Sequence, residues 1–173
     1  MKIYAIIYRI RWLVHMNNLT CSFSGHRQIY RIHKETLPAL LSKTIDDLIA
    51  SGVSTFCSGG AMGFDLLAAR CVLEKRESGA NISLRMILPC RNQTSRWPAA
   101  NRAEHERIIS LADEILYITD KYDQFCMHLR NRALVDTADI LLCYLSRPNS
   151  GTAYTVNYAG RKDVNIVNLF ELL

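Results

Sequence analysis

Short apolar runs alternate with longer amphipathic stretches along this chain, and that alternation predicts most of its architecture. Leu19 to Phe23 reads as a strand and runs directly into Ser24-Gly25-His26-Arg27. Leu37, Leu40, Leu41, Ile45, Leu48 and Ile49 then recur at the spacing of one helical face, with Gly52 as the stop. Val53 to Cys57 predicts a second strand, leading into Ser58-Gly59-Gly60-Ala61-Met62-Gly63. Phe64, Leu67, Ala68, Cys71 and Val72 mark the face of the helix that follows. Ile82 to Leu88 predicts a third strand ended by Pro89, and Cys90 to Pro98 is polar and irregular. Beyond it come a helix over 99–111, a strand over 114–118 and a helix over 124–137. Asp139 to Leu145 is the most apolar strand; Ser146 to Thr152, a short helix to Ala159 and a last strand over 164–169 complete the series.

Strands that alternate with helices imply a Rossmann-like α/β domain of three layers, a mainly parallel sheet with helices on both faces. At 173 residues the length fits one domain, and no repeat, low-complexity tract or linker divides it. Residues 1–18 stand apart as an N-terminal extension of the domain at 19–173. Met16 would be a natural start, so residues 1–15 read equally as an upstream extension, an extra edge strand or a tail.

The composition is that of an ordinary globular protein, 49% hydrophobic and 21% charged. No apolar run reaches the roughly 18 residues that would span a bilayer. Arg9 and Arg11 interrupt the apolar start, unlike the core of a secretory signal. The expectation is a cytoplasmic protein with no membrane partner. Three of the five net positive charges belong to Lys2, Arg9 and Arg11, so the body carries only +2, without the basic stripe of a nucleic-acid binder. Six well-separated cysteines form neither a C-x-x-C nor a zinc spacing, so neither a metal nor a disulfide is expected.

In a parallel sheet, ligands bind beyond the carboxyl ends of the strands. Three segments at such ends are rich in small or hydrogen-bonding residues: Ser24–Arg27, Ser58–Gly63 and Ser146–Thr152. Gly59, Gly60 and Gly63 would let the backbone approach a phosphate at a helix N-terminus. That loop carries neither G-x-G-x-x-G nor the Gly-Lys-Ser/Thr of a P-loop. Ser150 and Thr152 are read either as helix caps or as phosphate contacts. Arg27 suits a phosphate by its planar fork, whereas His26 alone reads as a packing residue as readily as a ligand. Asp65 would cap the helix or bond a ribose hydroxyl, and Trp97 or Tyr154 would stack a base or fill the core. Arg130 and Asn131 lie mid-helix, where an arginine normally points to solvent.

Taken in order, Phe23-Ser24-Gly25-His26-Arg27, Ser58-Gly59-Gly60-Ala61-Met62-Gly63-Phe64-Asp65, Arg130-Asn131 with Val135-Asp136, and Ser150-Gly151-Thr152-Ala153-Tyr154-Thr155-Val156 resemble the YpsA-like family of the SLOG superfamily. The likeness spans about Leu19 to Leu169. It implies a Rossmann-like fold and a nucleotide-derived phosphate ligand, with adenine nucleotides and ADP-ribose-like molecules leading. Ser24, Gly25, His26, Arg27, Ser58, Gly59, Gly60, Met62, Gly63, Asp65, Arg130, Asn131, Ser150, Gly151 and Thr152 are the implied contacts. The related Lonely-guy enzymes hydrolyse the N-glycosidic bond of nucleoside 5′-monophosphates and carry P-G-G-x-G-T-x-x-E and M-H-x-R-K segments. Met127-His128-Leu129-Arg130-Asn131 is similar to the second. At the first, this chain has Pro148 and Asn149 for the paired glycines and Thr155 for the glutamate. Thr155 supplies no carboxylate to stabilise oxocarbenium charge or activate water. The expectation is therefore a binding or sensory domain; a phosphoribohydrolase using Asp65 or Asp136 is one alternative. A protein-interaction or self-associating module is another. The related DprA proteins bind single-stranded DNA, which the low body charge disfavours here.

Overall fold

The computed structural model describes residues 18–173; the readings placed on residues 1–17 lie outside them. Six strands alternate with five helices: β1 (Leu19–Gly25), α1 (Thr36–Ala50), β2 (Val53–Ser58), α2 (Phe64–Glu77), β3 (Ser83–Cys90), α3 (Ala99–Leu111), β4 (Glu114–Thr119), α4 (Cys126–Asp136), β5 (Ile140–Tyr144), α5 (Gly151–Ala159) and β6 (Asn165–Asn168). Short 3-10 turns occupy Arg31–His33 and Leu169–Leu172. The strands form one sheet in the order β4-β3-β2-β1-β5-β6, and every neighbouring pair is parallel.

This order places a topological switch between β1 and β5. From β1 the chain winds outward through β2 and β3 to β4, then returns through α4 to the other side of β1. Helices α1, α2 and α3 pack side by side on one face, and α4 and α5 on the other. The strands show why the core has two unequal halves. In β5, Ile140, Leu142 and Tyr144 join the larger cluster with Phe23, Phe56 and Phe64, while Leu141 and Cys143 turn to Val135 and Ala159 beneath α5. Successive side chains of a strand face opposite ways, so a strand buried on both faces reads as an unbroken apolar run. The cysteines of the described residues are all unpaired and buried.

Two predicted boundaries move. Pro89 does not end β3: pairing with β4 skips it and resumes at Cys90 opposite Thr119, whose hydroxyl donates to the Pro89 carbonyl at 2.9 Å. Helix α4 begins at Cys126, because the Asp123 carboxylate accepts from the amides of Phe125 and Cys126 at 2.7 and 2.8 Å. Among the described residues no helix is long and apolar enough to cross a membrane.

Candidate functional site

The switch point opens as a cleft of about 350 Å³. Its wall combines the end of β1 (Ser24 to Arg27), Ala61 and Asp65 after β2, Met127, Arg130 and Asn131 on α4, and Arg147, Gly151 and Thr152 after β5. Nine of the expected contacts therefore share one cavity: Ser24, Gly25, His26, Arg27, Asp65, Arg130, Asn131, Gly151 and Thr152. Parallel pairing is the cause, since it brings the carboxyl ends of β1, β2 and β5 to one edge of the sheet. Arg27 and Arg147 are exposed there, while Arg130 is buried. Sequence reading singled out neither Arg147 nor Met127 as a contact; the only signal for Arg147 is its place just ahead of a helix N-terminus.

Ser58, Gly59, Gly60, Met62, Gly63 and Ser150 do not line this cleft. The carbonyls of the glycine loop are held by neighbouring side chains. The Gly59 carbonyl accepts from the Arg130 guanidinium and from Gln93 Nε2 at 3.3 Å, and Gln93 also donates to the Gly60 carbonyl at 3.2 Å. Buried Ser58 Oγ donates to the Asp65 carbonyl at 3.0 Å and accepts from the Gly60 amide at 3.2 Å. Gly60 has φ 62°, and a Cβ there would approach Leu88 Cδ2 at 2.8 Å, on the side of the apolar core. Gly63 has φ 84°, and its missing side chain leaves room for the His26 and Arg27 carbonyls. These glycines fix the loop's path. Ser150 is the N-cap of α5, accepting from the Ala153 amide at 3.0 Å, and the first residues of that helix, Gly151 and Thr152, line the cleft.

His26 ties two walls together. Its Nε2 accepts from the Ser146 amide at 3.0 Å and its Nδ1 lies 3.5 Å from the Thr152 hydroxyl. Burial, reinforced by the Arg147 charge, holds the imidazole pKa below its ordinary value, so the ring is neutral and braces the site with both nitrogens engaged.

Arg130 and Asp65 form the floor. Arg130 is 7% exposed and Asp65 3%, although a mid-helix arginine normally faces solvent. Their closest charged atoms are 3.9 Å apart, and the shorter bond of Arg130 goes to Gly59. Asp65 Oδ1 accepts from the Gly25 amide at 3.2 Å. Burial pushes the carboxyl up from 3.8 to about 6, with Arg130 and the Gly25 amide opposing. Burial likewise lowers the Arg130 pKa, opposed by Asp65. The pair joins the β1 end, the glycine loop and α4 into one rigid base.

A family model described as the YspA SLOG family matches residues 22–167. The chain belongs to this family. It is 30% identical over 130 residues to a UPF0398 protein of Halalkalibacterium halodurans, covering 74% of this chain and 66% of that one. It is 28% identical over 116 residues to the SPbeta prophage-derived protein YoqJ of Bacillus subtilis, covering 60% of this chain and 68% of YoqJ. The chain thus spans about two thirds of the length of these relatives. Among solved structures, DNA processing protein A of Helicobacter pylori superposes with TM-score 0.63 at 21% identity, over 90% of this chain and 66% of that one. Its counterpart from Streptococcus pneumoniae gives TM-score 0.63 at 15% identity, over 89% of this chain and 50% of that one. These two likenesses concern the fold.

Within this SLOG domain the residues weighed for hydrolysis are placed unambiguously. Thr155 is fully buried, and its hydroxyl donates to the Gly151 carbonyl at 2.9 Å. Asp136 lies outside the cleft lining, bound to the Tyr158 hydroxyl at 2.9 Å and Lys162 at 3.2 Å. Asp65 is the one carboxylate lining the cleft among the described residues. Trp97 packs edge-on against His105 with ring centroids 5.4 Å apart, and Tyr154 pairs with His128 and Arg132 outside the cleft.

Proposed function

We propose that the switch-point cleft binds a phosphate-bearing, nucleotide-derived ligand and that this domain acts as a binding or sensory module. The observation that carries this reading is the pair of exposed guanidiniums, Arg27 and Arg147, flanking the N-terminus of α5 over the base formed by Arg130. A planar fork matches phosphate oxygens, and unbonded helix amides with the positive end of the dipole favour the same charge. Glycosidic hydrolysis is disfavoured because the sole lining carboxylate, Asp65, is buried and bonded to the Gly25 amide. A carboxylate so engaged has little freedom to meet a sugar. Calorimetric titration with AMP, ADP and ADP-ribose, at low and moderate salt, tests the reading. Saturable binding that weakens with salt supports it, and product analysis of the same mixtures should find no free base.

A second reading follows from the solved neighbours. The Helicobacter pylori protein is described by its single-stranded DNA binding mode, so this fold serves that purpose elsewhere. Here no Phe, Tyr or Trp among the described residues lines the cleft, and the sequence charge outside residues 1–15 is only +2. Anisotropy of a labelled single-stranded oligonucleotide separates the readings. Binding competed by AMP would transfer the site to nucleic acid.

A further inference from the structure

A second cavity of about 600 Å³ opens on the same carboxyl edge of the sheet, over the ends of β2, β3 and β4. It shares Arg27 and Met127 with the arginine cleft, so the two compartments adjoin across these side chains. Its own lining includes Met62, Gln93, Arg96, Trp97 and Tyr122. A third cavity, of about 530 Å³, lies between α1, α2 and α3 and shares only Arg27 with the cleft. The second compartment is therefore the more direct extension of the site.

The two compartments differ in chemistry. The cleft carries Arg27, Arg130 and Arg147, whereas the second compartment adds two thioethers and the rings of Trp97 and Tyr122 to Arg27, Arg96 and the polar side chains of Asn92, Gln93 and Ser95. Tyr122 stands 60% exposed at its rim, and the Tyr122 amide donates to Asn92 Oδ1 at 3.0 Å, which fixes the backbone that presents the ring. Trp97 is buried and held by His105, forming a floor and not a mobile lid. Gln93 is anchored by Nε2 on the glycine-loop carbonyls, and its Oε1 has no hydrogen-bond partner among the described residues. A polarizable pocket with an exposed tyrosine ring at its rim suits a nucleobase, whose faces stack.

Resting on the cleft reading above, we propose that the ligand spans both compartments as a nucleoside diphosphate or a longer pyrophosphate-linked nucleotide. The base occupies the slot of Met62, Tyr122 and Met127. Arg27, on the border, takes the phosphate nearest the nucleoside, and Arg147 with the α5 N-terminus takes the next.

Calorimetry on the full chain with inorganic pyrophosphate and with ADP tests this. The unmodified protein should bind ADP at least tenfold more tightly than pyrophosphate. Tyr122→Ala should weaken ADP roughly tenfold, the scale of one base–aromatic stack, and leave pyrophosphate unchanged. Met62→Ala should act in the same direction, and Arg147→Ala should weaken both probes. Tyr122 is exposed and Met62 is only partly buried against the core, and melting curves of the variants verify that the fold survives. Equal affinity for the two probes overturns the base subsite while leaving the cleft reading standing. So does an ADP preference indifferent to both Tyr122→Ala and Met62→Ala, because it places the base elsewhere. Absence of heat with either probe overturns the cleft reading, and this inference with it.

Discussion

Replacing Asp65 by asparagine should change how stability depends on pH, in a direction fixed by burial. The carboxyl titrates at about 6 in the folded protein against an ordinary 3.8. At 1.36 kcal/mol per pH unit, that gap amounts to about 3 kcal/mol. The folded pKa is the higher one, so the folded state holds the proton more tightly than the unfolded chain. The associated stability is fully present below pH 3.8 and is lost as pH rises through about 6. Asparagine keeps an acceptor for the Gly25 amide and has no charge to bury. Relative to the unmodified protein, Asp65→Asn should therefore gain about 3 kcal/mol as pH rises from below 4 to 7. The constant part of the difference is unfavourable, because Arg130 loses its counter-charge. His26 acts in the opposite sense: its lowered pKa makes the fold lose stability as pH falls below the ordinary 6.5. It is common to both proteins and cancels in the difference. Urea unfolding at half-unit steps from pH 3.5 to 7.5 measures the slope. A flat difference, or one in which the unmodified protein gains on the variant as pH rises, would refute the reasoning by showing that pairing with Arg130 outweighs burial.

Other outcomes follow from the same geometry. Arg130→Met should cost about 3 kcal/mol at pH 8, since it strips the Gly59 carbonyl of a charged donor and leaves Asp65 buried alone; it should cost less at pH 5, where Asp65 is protonated, as urea midpoints will report. Gly60→Ala should destabilise by roughly 2–4 kcal/mol, from positive φ and overlap with Leu88, and should do so equally with and without ligand in thermal melts. Incubation with AMP should yield no ribose 5-phosphate by chromatography, and a rate of ordinary enzymatic size abolished by Asp65→Asn would contradict the binding-only reading.

The alternation of elements was legible because the inner strands are covered on both faces, so apolar runs such as Ile140–Tyr144 stand out without any neighbour known; the edge strands β4 and β6 are more exposed. That the loops after β1 and β5 face one cleft followed from parallel pairing alone. Strand order did not, since it depends on contacts between segments over a hundred residues apart, such as Cys21 with Ile140. The burial of Arg130 was hidden because helical periodicity assigns it by position, whereas a carbonyl and a carboxylate from another element decide it. At the glycine loop, Gly59 and Gly60 allow close approach, and the groups that reach their carbonyls are a guanidinium and a carboxamide of the chain itself. Tyr122 lies in an irregular segment with no period to mark it.

Gly151 offers the most direct test of phosphate binding. It is the first residue of α5, and a Cβ there would meet nothing nearer than Asn131 Nδ2 at 4.0 Å. An aspartate at a helix start is compatible with the dipole, so Gly151→Asp should leave the melting temperature nearly unchanged. It would nonetheless set a negative charge at the cleft mouth between Arg147 and Asn131. Titrating AMP, ADP and ADP-ribose into both proteins by calorimetry should give saturable binding of at least one to the unmodified chain and a loss of at least tenfold in the variant. Equal binding by the two proteins, or no binding by either, would contradict the account.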